Sequence, residues 1–144
     1  MTTPTADRYV LAGLGEKVIA FPDYYVLDVL VVDRNYVMRL PFYSPCVIGV
    51  TQHLGKIVPL LSLRHLFLPE QNVLLPGQLP VVRLAKSLPE LFGAGLIVDR
   101  IMGSRSREQY EELKNTYDLI PINVVLDQLG GSHWLPQRWY ALNP

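Results

Sequence analysis

Gly49-Val50-Thr51-Gln52-His53-Leu54-Gly55-Lys56-Ile57-Val58-Pro59-Leu60-Leu61-Ser62-Leu63-Arg64 is the stretch that decides the fold. It joins two apolar runs of strand length, 46–51 and 57–63, through His53-Leu54-Gly55-Lys56. Valine, isoleucine and leucine dominate both runs, and such side chains suit a pleated, half-buried surface. A short interval carrying a glycine between two such runs reads as a tight hairpin turn. The same pattern extends outward. Upstream, 9–14, 18–21, 26–32 and 36–40 each have the length and composition of a strand, and Leu14-Gly15-Glu16-Lys17 joins the first two as another hairpin. Downstream, 79–84 and 94–101 have the same character.

Proline and polar residues mark where the sheet is interrupted. Pro41 and Pro45 lack the backbone donor that a ladder needs, so the segment they bracket leaves the sheet. Residues 64–67 read as one helical turn stopped before Pro69, 70–77 as the most loop-like stretch, and 86–92 as a loop or helical turn interrupted by Pro89. After Ser104 the period changes. Ser106 with Gln109 three residues later is a capping-box pattern, Arg107 and Glu111 are spaced to pair at i and i+4, and a polar helix continues to about Asn115. Residues 119–126 return to strand character, and 134–144 form an aromatic, proline-bearing tail. Many short strands with tight turns and little helix indicate a barrel or sandwich.

Bulk properties narrow the class of protein. A length of 144 residues is that of a single ordinary domain, which needs no metal or disulfide to bury its core. Thirteen Lys and Arg balance thirteen Asp and Glu, so no global positive charge is available for phosphate, and nucleic acid is disfavoured as the main partner. A hydrophobic share of 49% against 18% charged residues fits either a well-filled β core or surface kept apolar for a partner. Cys46 is the only cysteine, which rules out an intrachain disulfide and suits a reducing cytoplasm. Residues 1–7 lack the features of a secretion signal, and the apolar stretch 18–32 is broken by Pro22, Asp23 and Asp28, so no membrane insertion is expected.

Catalytic chemistry finds little support. His53, His65 and His133 match no short ligand motif and sit beside turns, where a solvated imidazole is the commoner state. Cys46 has apolar neighbours and reads as an inert buried thiol. Gly13-Leu14-Gly15 lacks the third glycine of a dinucleotide loop, and Gly93-Ala94-Gly95 precedes a strand where a phosphate loop precedes a helix. Ser132 and His133 lack a nucleophile elbow. Asp99 and Arg100 read as a structural ion pair or loop anchor at a strand end. Arg83, Lys86, Arg100, Arg105 and Arg107 form no stacking platform for bases, because aromatic residues do not interleave with them. No residue is assigned to catalysis, a metal or a cofactor.

The opening stretch resembles the signature of CheW-like domains, in which a strand ending in Gly-Val is followed by a tight turn, Gly-Lys-Ile-Val-Pro, apolar residues and Leu-Arg. Gly49, Gly55, Pro59 and Arg64 fall in that pattern without a gap. Leu40-Pro41 and Pro45 stand where the family carries Leu-Pro and Pro. Val26-Leu27-Asp28-Val29-Leu30 is similar to its Val-x-Glu-Val segment, and 95–101, with Asp99 and Arg100, to its Val-Asp-Arg-Val strand. The likeness is good over about 8–103 and poor over 104–144, within a single domain spanning 1–144.

The resemblance implies a mainly β fold: two SH3-like five-stranded barrels sharing an apolar seam, the second shortened or rebuilt, with the short helix near 106–115. It also implies a non-catalytic cytoplasmic adaptor, a monomer within a larger signalling array. Its partners would be the regulatory domain of a CheA-type histidine kinase and the cytoplasmic tip of a chemoreceptor, in a taxis or pilus-motility pathway. Val26 and Asp28 match kinase-facing positions, Asp28 replacing the more usual Glu. Leu54 stands where the family's turn carries an arginine, and Ser62 where Asp is common, which implies an altered choice of partner. Leu40, Phe42, Tyr43 and Leu54 are the candidate apolar anchors, since barrels of this kind bind through edge strands and turn tips. The alternative is a β-barrel module for nucleic acid or a small ligand.

Overall fold

The computed structural model describes residues 6–39, 46–68 and 75–129. Ten strands lie among them and divide into a sheet of four and a sheet of six, where two sets of five were expected. In chain order they are β1 Arg8–Leu14, β2 Lys17–Pro22, β3 Val26–Asp33, β4 Met38–Arg39, β5 Val47–His53, β6 Lys56–Ser62, β7 Gln78–Leu84, β8 Gly95–Ile97, β9 Arg100–Ser106 and β10 Asp118–Leu119. The helices are α1 Leu63–Phe67, α2 Arg107–Leu113 and α3 Ile122–Leu129. The smaller sheet runs β10-β2-β1-β9 and the larger β3-β7-β8-β6-β5-β4.

Burial follows from how these strands stack. Val32, Val58, Leu60, Leu79, Val81 and Ile97 pack together on one side of the larger sheet. Its other side supplies Val47, Leu61, Val82, Leu84 and Leu96 to a second cluster, which Ala12, Leu14, Ile19 and Phe21 of the smaller sheet complete. This second cluster is the shared apolar seam, and Phe21 within it is fully buried, worth about 2–3 kcal/mol of transfer free energy. Tyr9, Leu11 and Ala20 point to the far side of the smaller sheet, where Tyr110 of α2 covers them. The rings of Tyr9 and Tyr110 stack with centroids 3.8 Å apart. The helix therefore seals a sheet face that would otherwise lie open to water.

Several sequence-based expectations are corrected. Residues 94–101 form two strands, because the chain crosses from one sheet to the other at Val98-Asp99: the Val98 amide donates to Pro80 O and the Asp99 amide to Gly13 O, both 3.0 Å away. The apolar pattern continues through the crossing since both sheets face the seam. Residues 119–126 are mostly the start of α3. Pro121 precedes that helix, and Ile122, Val125 and Leu126 meet the seam at helical spacing. The strand expected at 36–40 is confined to Met38–Arg39 among the described residues, after a 3-10 turn at Arg34–Tyr36 capped by the Asp33 carboxylate, which accepts from the Asn35 amide at 2.8 Å. The capping box is present at Ser106 and Gln109. Arg107, however, pairs with Asp7 rather than Glu111, which pairs with Lys114.

The β5–β6 hairpin closes through Leu54 and Gly55, since His53 is the register partner of Lys56. Both turn residues have positive φ, 51° and 78°. That is the requirement of a type I′ turn, which favours Asn-Gly. Leucine in the left-handed region costs about 1–2 kcal/mol through the contact of its Cβ with the backbone. Gly49, at the other end of β5, has a different constraint: a Cβ there would lie 2.1 Å from the Met38 carbonyl oxygen. Two outcomes follow for thermal unfolding followed by circular dichroism. Leu54→Asn raises the midpoint, with about 1 kcal/mol of strain released. Gly49→Ala lowers it, because β4 has to move off β5.

Candidate functional site

Two features of the fold make up the candidate site: a polar clamp between the sheets and β3, one edge of the larger sheet among the described residues. The clamp centres on Asp99 at the crossing between β8 and β9. Its carboxylate accepts from the Gly15 amide at 2.7 Å and from the Arg64 side chain, whose Nε lies 3.1 Å from Oδ1 and whose Nη2 bonds Oδ2. Gly15 belongs to the β1–β2 turn of one sheet and Arg64 to α1, which follows directly from β6 of the other. Arg100 donates to the Gly15 carbonyl at 3.3 Å, so it anchors the same turn, but the ion-pair partner of Asp99 is Arg64. Burial pushes the Asp99 carboxyl up, yet the Arg64 guanidinium and the Gly15 amide outweigh it and hold Asp99 below its ordinary value of 3.8.

Next to the clamp, the Ser62 hydroxyl caps α1, accepting from the His65 amide at 3.3 Å, and lies 2.8 Å from His65 Nδ1. This Ser-His contact satisfies a helix end. Cys46 is buried, and its carbonyl accepts from the Ser62 amide at 2.8 Å. Among the described residues, no three His, Cys, Asp or Glu side chains converge as a metal site. No helix among them is long and apolar enough to cross a membrane. His133 and Ser132 lie outside the described residues.

One edge of the larger sheet among the described residues, β3, carries two of the residues selected from sequence. Val26 and Asp28 lie on β3, the edge strand of the larger sheet. Val26 is half-buried against the seam. Asp28 does not project as an isolated charge: it faces its register partner Arg83 on β7, whose Nε donates to Oδ1 at 2.6 Å and whose Nη2 bonds Oδ2. The hydrogen bonds from Arg83 hold the Asp28 carboxyl below the ordinary range, against burial. Leu27, Val29 and Val31 alternate with these on the exposed side of the strand. Leu54 stands at the hairpin tip, next in the chain to His53, which lines a slot with Val31 and Tyr36. Leu40, Pro41, Phe42, Tyr43 and Pro45 lie outside the described residues.

A family model for the CheW-like domain matches residues 8–118. The chain belongs to the CheW-like domain family. The match passes through α2 and into β10, beyond residue 103, where the likeness read motif by motif ended. Among solved structures, the scaffolding protein TtCheW from Thermoanaerobacter tengcongensis shares the fold with a TM-score of 0.51 and 19% identity, over 70% of this chain and 65% of that one. The chain therefore spans about two thirds of the length of that relative. No curated protein matches it.

Arg83 and the Tyr36–Met38 edge were not selected as site residues from sequence. Arg83 stood among scattered surface cations, and only the β3–β7 register reveals its partner. Tyr36 and Met38 fell inside a run read as a half-buried strand, and β propensity carries no mark of a sheet edge. The clamp yields a test by pH. Asp99 and Asp28 both have folded-state values below 3.8. The stability they contribute is present above that pH and is lost as pH falls through about 4 toward the lower folded values. In denaturant titrations, Asp99→Asn is expected to be about 2 kcal/mol less stable than wild type near neutral pH, with a flatter decline in acid.

Proposed function

We propose that the chain is a non-catalytic adaptor that couples a chemoreceptor-type sensor to a CheA-type histidine kinase in a taxis or pilus-motility pathway. Membership of the CheW-like domain family, through a match over residues 8–118, is the observation that carries this reading. The site geometry agrees with it. Val26 and Asp28 lie on the edge strand β3, with Asp28 paired to Arg83 on the neighbouring β7, and the hairpin ending in Leu54 presents an aliphatic side chain to solvent. Edges and turn tips of this kind bind through backbone pairing and a few buried anchors.

In this reading the chain acts as one CheW-like unit in the cytoplasm, a monomer built into a larger array. Val26, Asp28 and Leu54 face the kinase or the receptor, and Leu40, Phe42 and Tyr43 add apolar anchors. Leu54 cannot supply the charge-assisted hydrogen bonds of the arginine common at this turn, so the partner surface differs in kind there. Asp99, Arg64 and Arg100 hold the two sheets in register behind this surface.

The test is calorimetric titration of the purified chain with the regulatory domain of its host's CheA-type kinase, and separately with the cytoplasmic fragment of a host receptor. Wild type is expected to bind at least one of them. The double variant Val26→Arg with Asp28→Arg is expected to lose roughly tenfold or more of the kinase affinity while keeping its circular dichroism spectrum. A well-folded wild type that binds neither partner would sink the adaptor reading.

A further inference from the structure

Strand register shows which backbone groups of β3 have no strand partner. The Arg34 amide donates to the Gly77 carbonyl at 2.9 Å, just beyond the last β3–β7 pair, and this fixes the parity of the ladder. Counting back, Val32 with Leu79 and Leu30 with Val81 are the hydrogen-bonded pairs, while Val31 with Pro80 and Val29 with Val82 are the non-bonded ones. Pro80 agrees with this parity. It has no amide, and its carbonyl accepts from the Val98 amide at 3.0 Å, on the side of β7 away from β3. The amides and carbonyls of Val29 and Val31 therefore point outward, where β3 has no neighbour among the described residues.

The end of β5 stands across from this edge in the same condition. His53 and Lys56 flank a two-residue turn and form a hydrogen-bonded pair, so Thr51 and Val58 form the next, and Gln52 turns its amide and carbonyl away from β6. β4 pairs only with Gly49 and Val50, which leaves Gln52 uncovered on that side among the described residues. A slot of about 210 Å³ lies between β3 and β5, with Val31 and Asp33 on one wall and Thr51, Gln52 and His53 on the other. Tyr36 also lines it, and its carbonyl accepts from the Thr51 hydroxyl at 3.1 Å. The volume is below the range usual for cofactor pockets. Nor is the edge guarded as exposed edges commonly are: residues 26–33 contain no proline or lysine, and the one bulge lies at the start, between Val26 and Asp28. Asp28 is paired with Arg83, and the Asp33 carboxylate is occupied by the Asn35 amide.

We propose that β3 is a pairing edge for one extended segment of a partner protein, which hydrogen-bonds to Val29 and Val31 and enters the slot with β5 as its opposite wall. Main-chain bonds supply affinity in strand addition, and alternate side chains supply choice. Val29 and Val31, 39% and 66% exposed, lie on one face of β3, so the segment carries β-branched or other aliphatic residues at every second position. A second copy of this chain is the poorer occupant. Its β3 would bring β7 with it, and a slot of this size admits a single chain. The inference goes beyond the adaptor reading, because it names the conformation that a partner takes and does not depend on which protein supplies it.

The test needs neither kinase nor receptor. Amide hydrogen exchange of the free chain, followed by NMR, is expected to show fast Val29 and Val31 amides between slow Leu30 and Val32 amides. A displayed library of random linear peptides is then selected on the whole purified chain, and the best peptide is titrated by fluorescence anisotropy. Enriched peptides are expected to alternate aliphatic residues and, when bound, to slow exchange at Val29 and Val31. N-methylation of every second peptide residue, which removes donors on one side of the strand, is expected to weaken binding roughly tenfold or more in one of its two phases and little in the other. Val31→Pro removes an outward donor and leaves the β7 ladder intact, and it is expected to weaken the peptide to a similar degree. The N-methylated peptides act on the wild-type chain, so they decide the matter if that variant does not fold. Val29 and Val31 amides as slow as their neighbours in the free chain overturn the proposal, since the edge is then already covered. So do the absence of enriched peptides and binding indifferent to both N-methylated forms. A dimer in sedimentation that Val31→Pro dissociates overturns it as well, because a second copy then holds the edge. Peptide pairing as described alongside failed kinase and receptor titrations keeps the pairing edge and removes the adaptor reading.

Discussion

The relation between the two sheets depends on one carboxylate. Asp99 sits where the chain leaves the larger sheet and enters the smaller, and its oxygens are shared between the Gly15 turn and Arg64 at the start of α1. The seam alone is non-directional: apolar side chains tolerate sliding as long as they remain covered. Hydrogen bonds from a backbone amide and a planar guanidinium do not tolerate it. Division of labour follows, with Phe21, Leu61 and Leu96 holding the sheets together and Asp99 fixing how they face each other.

The hairpin at 53–56 and the helix after Ser106 were legible because each rests on a local rule. Glycine between two apolar runs marks a tight turn, and Ser with Gln three residues on caps a helix. The crossing at Val98-Asp99 was not legible, because burial on both sides keeps the sequence apolar through a change of sheet. Residues 122–126 were misread for a related reason: β-branched Ile122, Val124 and Val125 suggest a strand, but Pro121 and the spacing of the buried residues make a helix. Of the candidate surface, Val26, Asp28 and Leu54 were selected from sequence. Arg83, Tyr36 and Met38 were not, since ion pairs across strands and exposure at an edge are properties of register.

The larger sheet is asymmetric in use. β7 and β8 lie in its interior, and Val81, Val82, Leu84 and Leu96 on them are fully buried. Its margins are different: β3 alternates half-buried and exposed residues, and the two residues of β4 among the described residues are both exposed. Core packing therefore constrains the middle of the sheet, while its rim is left open to other demands. At that rim Leu54 occupies a turn position that suits asparagine, a local cost that the buried middle of the sheet has to offset.

The pairing of β1 with β9 sets the order in which the chain can be completed. Arg8 and Ser104 meet across this pair although 96 positions separate them. Among the described residues, the strands of the larger sheet all lie between residues 26 and 97. During synthesis these strands of the larger sheet are all made while the N-terminal hairpin still lacks its neighbours, β9 and β10. The smaller sheet is thus closed last, by a contact of long sequence separation whose loop-closure entropy slows its formation. Until then, the seam face of the hairpin is exposed to other chains, as apolar surfaces are before their sheet closes.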